Sequence, residues 1–209
     1  QNRYQERARV FEISRVFREV AGKIEQPYVC SGMAFGAVFE QQWGFEDRTV
    51  DFFDIKGDLQ PLLSKFEVTY EKSLYDWLHP GRAANIKIDK NNIGWLGELH
   101  PRILGKYELQ PPVVAFEFLL DKVMDDRVPA FREVSKFPPV VRDISITVES
   151  NQSAGKILAY LNNLNLSFVE RVDLFDVYLG KGINKGQKGL AFRVLLQDTD
   201  RTLTDTDIE

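Results

Sequence analysis

The apolar positions of this 209-residue chain change their period several times, and each change predicts an element. "ARVFEISRVF" (Ala8–Phe17) and "YVCSGMAFGAVF" (Tyr28–Phe39) are rich in β-branched and aromatic residues and predict strands. Gly32 and Gly36 in the second predict tight backbone packing. Ile55, Leu59, Leu62, Leu63 and Phe66 then recur at helical spacing. Pro61 interrupts that stripe, so the helix is expected to start either at Asp58, with Pro61 in its first turn, or at Asp54 with a kink. "ANIKIDKNNIGWLGEL" predicts a hairpin around Asp89–Asn92, "HPRILGKY" a short helix, and "VVAFEFLL" (Val113–Leu120) a further strand. Strands and helices mix here without a regular βαβ repeat. Residues 1–130 are therefore expected to be α+β with an antiparallel sheet.

The proline-punctuated, charged stretch "DDRVPAFREVSKFPPVVRD" predicts a boundary near residues 125–140. Beyond it, "DISITVES" alternates strictly, with Ile144, Ile146 and Val148 on one face and Asp143, Ser145 and Thr147 on the other. A helix is expected from Ser153, striped by Ile157, Leu158, Leu161 and Leu164. Strand "FVERVDLFDVYL", a polar loop and strand "GLAFRVLLQ" follow; the first of these strands lacks clean alternation and its faces stay unassigned. "RTLTDTDIE" reads as a helix start, with Thr204 as N-cap and Asp205 and Asp207 in the first turn, so the natural chain is expected to continue. The order over 135–209 is β-α-β-β-α, one strand short of the ferredoxin-like unit.

Composition and charge narrow the chemistry. An apolar share of 44%, with 15 Phe, 7 Tyr and 3 Trp, predicts a packed core. Residues 1–134 carry a formal charge of -3 and residues 135–209 one of -1, so any contact with nucleic acid must come from a local patch. A single cysteine, Cys30, leaves no partner for an internal disulfide and fits a reducing, cytosolic setting. No apolar run approaches the roughly 20 residues that span a bilayer.

The loop inside "LFDVYLGKGINKGQKGLAFRVLLQD" (Leu174–Asp198) holds the most suggestive chemistry. A phosphate-gripping loop leads from a strand into a helix and places Ser or Thr after its Gly-Lys pair; this one joins two strands and has neither. One alternative is a solvated hairpin whose glycines serve the turn. The other is an RNA contact: from Val177 to Gln197 there is no acid, while Lys181, Lys185, Lys188 and Arg193 supply four positive charges. Outward residues Ser145, Gly189 and Ala191 are small enough to let a base lie flat, and Tyr178 is placed to stack on one. His79, His100 and Cys30 match no zinc spacing, and the acids of Asp47–Asp58 read as loop and cap residues. No catalytic constellation, metal site or dinucleotide fingerprint is found in the pattern.

"VDFFDIKGDLQPLL", "LHPGRAANI", "IGWLGELHPRI", "SKFPPVVRDISITV", "LFDVYLGKGINKGQKGLAF" and "QDTDRTLTD" occur in one order and spacing. On these motifs the chain resembles the C-terminal part of the bacterial phenylalanine–tRNA ligase β-subunit family over nearly its whole length. The resemblance implies a class II synthetase-like, non-catalytic antiparallel-sheet domain at 1–130. It implies a ferredoxin-fold anticodon-binding domain, C-terminally truncated, at 135–209. It further implies an (αβ)2 enzyme in which the α subunit charges tRNA(Phe) using ATP and Mg2+, with no cofactor held by this segment. Carried over by motif, Tyr178 stacks on an anticodon base beside Ser145 and Gly189, where relatives often carry serine. Lys181, Lys185, Lys188 and Arg193 steer the RNA backbone. A different reading of the ferredoxin-like module is a regulatory domain that senses a small amino acid, with "ESNQSAGKI" as its ligand loop.

Overall fold

The computed structural model describes residues 5–124, 131, 133–164 and 166–208. The chain divides into two compact units, Gln1–Arg127 and Val128–Glu209. Helices and antiparallel sheets mix in both, the α+β class expected from the pattern.

The first unit runs β1 (Ala8–Arg15), β2 (Arg18–Val20), β3 (Lys23–Glu25), β4 (Tyr28–Phe35), α1 (Phe52–Leu63), β5 (Val68–Lys72), β6 (Leu78–Ile88), β7 (Asn91–Leu99), α2 (Pro101–Lys106) and β8 (Val113–Leu119). Six of the strands form one antiparallel sheet, ordered β1-β4-β8-β7-β6-β5, and β2 and β3 make a separate ribbon. One sheet face packs on α1: Ile55, Leu59 and Leu63 meet Cys30, Ala34, Ile86, Leu96, Val114 and Phe118 in a single buried cluster. Two glycines let neighbouring strands come close. A Cβ on Gly32 would lie 2.6 Å from the Val10 carbonyl, and one on Gly97 2.6 Å from the Ala83 Cβ.

Helix α1 starts earlier than either expectation. Asp51 caps it, accepting from the Phe53 and Asp54 N–H groups at 2.7 and 3.1 Å, while the Asp54 carboxylate accepts from the Asp51 N–H at 2.8 Å. This reciprocal cap outweighs the proline, which sits in the last turn and so disturbs little of the helix beyond it. The hairpin between β6 and β7 turns on Asp89 and Lys90, with φ of 48° and 69°; two left-handed residues in a two-residue loop match the strand twist.

The second unit contains β9 (Val140–Glu149), α3 (Ala154–Asn163), β10 (Val169–Tyr178), β11 (Gln187–Leu196) and the short α4 (Asp205–Ile208). Its sheet is ordered β10-β11-β9, all antiparallel. Leu190, Phe192 and Val194 of the central strand are buried against Val172, Ile146, Val148 and the α3 stripe of Ile157, Leu158 and Leu161. Ile144 lies on that same face but remains 47% exposed, and Leu164, expected in the stripe, ends α3 at the surface. Ser135 ties the start of the unit to its end, donating to the Asp198 carbonyl at 2.6 Å, while the Gln197 side chain donates to the Phe137 carbonyl at 2.7 Å. At α4 Thr204 stands just before the helix as expected, but its hydroxyl donates to the Asp207 carboxylate rather than accepting from the helix; the same carboxylate also accepts from the Thr204 N–H.

Candidate nucleic-acid interface

Opposed residues in antiparallel strands point to the same side of a sheet, so the register of β10, β11 and β9 defines the face turned away from α3. Tyr178 pairs with Gly189, which pairs with Thr147; Asp176 with Ala191 and Ser145; Asp173 with Arg193 and Asp143. Four of the candidate residues, Tyr178, Gly189, Ser145 and Arg193, thus share one face. Gly189, Ala191 and Ser145 make a low floor, with Tyr178 rising at one end and Phe175 and Arg193 at the other. From Gly189 to Arg193 that floor runs about 13 Å at the usual strand rise.

The hairpin beside this floor is shaped by its glycines and by Tyr178. Gly182 and Gly186 take φ of 97° and 89°, a left-handed backbone that side chains disfavour. Ile183 and Gln187 N–H groups close two turns onto the Gly180 and Asn184 carbonyls. The Tyr178 hydroxyl donates to the Lys181 carbonyl at 3.1 Å, and the residue is 47% exposed. Lys181 and Lys185 stand exposed on the loop, and among the described residues no carboxylate pairs with either.

Two predicted cations differ from their expected setting. Lys188 pairs in register with Val148 and alternates with Leu190, so it lies on the α3 side of the sheet, opposite Tyr178 and Gly189. Arg193 grips Asp143 across the strands with two hydrogen bonds of 2.9 and 2.8 Å, and its guanidinium stacks 4.8 Å from the Phe175 ring centre. Those hydrogen bonds hold the Asp143 carboxyl below the usual carboxylate range and push the Arg193 guanidinium higher. Arg171 likewise bonds Asp173 at 2.6 Å. Absence of acids within Val177–Gln197 concealed this, because Asp143 arrives from fifty residues away. Asp176, which the charge pattern did not single out, puts a carboxylate on the floor itself; its pairing with Ala191 became visible only with the register. Positive charge on this side is therefore concentrated at Lys181 and Lys185.

The other candidates resolve into local structure. His79 Nδ1 accepts from the Gly81 N–H at 3.1 Å, and His100 Nδ1 accepts from the Arg102 N–H at 3.1 Å as the cap of α2. Cys30 is buried, and burial pushes its thiol up. Asp51 and Asp54 form the α1 cap. The first unit has an open cleft of about 450 Å³ lined by His79, Arg82, Glu98 and Pro112, in which Arg82 bonds the buried Glu98 at 2.6 Å. Among the described residues no three His, Cys, Asp or Glu side chains converge to hold a metal ion. No helix among them is long and apolar enough to cross a membrane.

Comparison with known proteins decides the family. Residues 1–120 match the phenylalanyl tRNA synthetase beta chain CLM domain, and residues 135–209 match the ferredoxin-fold anticodon binding domain. The chain belongs to the phenylalanine–tRNA ligase β-chain family. It is 42% identical over 212 residues to the phenylalanine–tRNA ligase beta subunit of Dechloromonas aromatica, covering 99% of this chain and 27% of that protein. The subunit of the same name from Nitrosospira multiformis is 43% identical over 204 residues, covering 98% of the chain and 26% of the relative. That from Neisseria meningitidis is 42% identical over 209 residues, with 100% and 27% covered. The chain thus spans about a quarter of the length of these family members.

Proposed function

We propose that this chain is the segment of a phenylalanine–tRNA ligase β subunit that holds the anticodon of tRNA(Phe). The observation that carries this reading is the shared face of Tyr178, Gly189 and Ser145 beside a lysine hairpin, within the part that matches the anticodon-binding family. A base lying on the Gly189–Ala191–Ser145 floor meets the Tyr178 ring, and stacking of that kind contributes about 1–3 kcal/mol. Lys181 and Lys185 draw the phosphates to the hairpin end, while the Asp176 carboxylate repels them from the middle of the floor. The bases face the sheet and the backbone follows the lysines. Residues 1–130 act in this reading as scaffold and subunit interface without catalytic residues. The sheet-edge strand β1 exposes Val10, Phe11 and Ile13, which suits contact with a partner. Charging of tRNA with phenylalanine, using ATP and Mg2+, falls to the α subunit of an (αβ)2 assembly in the cytoplasm.

The test is binding of a phenylalanine tRNA anticodon stem-loop to the complete ligase. Salt-sensitive binding that weakens when anticodon bases are replaced is expected. Tyr178→Ala should weaken it by about 1–3 kcal/mol and leave phenylalanine activation unchanged. Binding indifferent to both the anticodon bases and Tyr178 would overturn the assignment.

A further inference from the structure

Gly180 lies in the hairpin two residues beyond Tyr178, and a side chain there would meet the tyrosine ring. An ideal Cβ on Gly180 would lie 2.6 Å from the Tyr178 hydroxyl oxygen, 2.7 Å from Cζ and 3.1 Å from Cε2. The tyrosine therefore folds back onto the bare Cα of Gly180 while its hydroxyl is held by the Lys181 carbonyl at 3.1 Å. We propose that Gly180 is a positioning residue for the anticodon platform: its missing side chain is the seat that fixes the Tyr178 ring before RNA arrives. The proposal rests on the reading of Tyr178 as the base-stacking residue.

Three observations make the seat specific. Unlike Gly182 and Gly186, Gly180 does not have a left-handed backbone, so alanine can adopt its conformation and the ring is what must yield. Tyrosine swings on two side-chain torsions, so the ring can move off while the strands stay paired. Gly189, also beside Tyr178, is a contrast: a Cβ there meets nothing nearer than 3.6 Å, ordinary contact. Seating the ring in advance removes an ordering cost that binding would otherwise carry. The same seat occupies the hydroxyl, so Tyr178 offers the RNA its exposed ring surface rather than its O–H.

The experiment measures binding of the phenylalanine anticodon stem-loop to the complete ligase with Gly180→Ala, Tyr178→Ala and both. Gly180→Ala is expected to lower affinity by a factor approaching that of Tyr178→Ala, roughly 5- to 150-fold for loss of one stacked base. It should add nothing in the Tyr178→Ala background, because the ring through which it acts is gone. The salt slope and phenylalanine activation should not move. Gly180→Ala binding like the parent while Tyr178→Ala does not would overturn the seat alone. Multiplying losses in the double variant would also overturn it, since Gly180 would then act independently of the ring. Tyr178→Ala binding like the parent would remove the stacking reading and the seat together.

Discussion

The sidedness of the lysines yields a quantitative prediction. Each phosphate contact with single-stranded nucleic acid contributes about 0.7 to the slope of log affinity against log salt. Lys181 and Lys185 are exposed on the hairpin, Lys188 faces the α3 side, and Arg193 is neutralised by Asp143. Replacing Lys181 and Lys185 together by alanine should therefore flatten the slope by about 1.4. Between about 50 and about 200 mM salt that amounts to roughly a sevenfold difference in how much affinity is lost. Lys188→Ala should leave the slope nearly unchanged. So should the neutral pair removal Asp143→Ala with Arg193→Ala, which deletes one charge of each sign. The assay is fluorescence anisotropy of a labelled anticodon stem-loop with the complete ligase across a salt series. If Lys188→Ala flattens the slope as much as Lys181→Ala or Lys185→Ala does, the assignment of the RNA side of the sheet is wrong.

Three further outcomes follow from the packing and the caps. Phe192→Ala empties the centre of the second unit, where this ring is 1% exposed, and should cost about 3–5 kcal/mol in urea unfolding. Asp51→Ala removes the oxygen that caps α1 and should cost about 1 kcal/mol, whereas Asp51→Asn should retain most of that stability in thermal melts. Hydrogen bonds from Arg48 at 2.7 Å hold the Asp54 carboxyl below the usual range. A depressed carboxylate contributes stability that is present above its unfolded value, near 3.9, and is lost as pH falls through the lower folded value. Arg48→Ala should thus flatten the pH dependence of stability below about pH 4, and an unchanged acid profile would show that Arg48 does not set the Asp54 proton affinity.

What could be read from the chain depended on how far each signal reached. The alternation of Ile144, Ile146 and Val148 was legible because β9 pairs regularly along its whole length. Alternation failed in β10 because its register shifts twice, between Val169 and Arg171 and between Leu174 and Asp176. Each irregularity adds a residue and exchanges the faces beyond it, which puts Phe175 beside Arg193. That β11, last of the three in sequence, is central in space is a property of the sheet order alone. The start of α1 lies earlier than its apolar stripe and Pro61 indicate, because the Asp51–Asp54 pair, a cap built from two aspartates, sets it. At the interface, residue types were legible and partners were not: Arg193 reads as a free cation until Asp143 is seen across the strand, and Lys188 reads as one of a cluster until register assigns its side.

The two irregularities of β10 also bear on how the protein behaves in a crowded solution. β10 is an outer strand of its sheet, and such a strand offers its backbone to any extended chain that drifts past. A neighbour could zip onto a straight strand of ten residues, but one whose spacing breaks twice presents no continuous ladder to copy. The misalignment that obscures the strand in the sequence thus guards that flank against unwanted polymerisation, beside the face proposed to receive RNA.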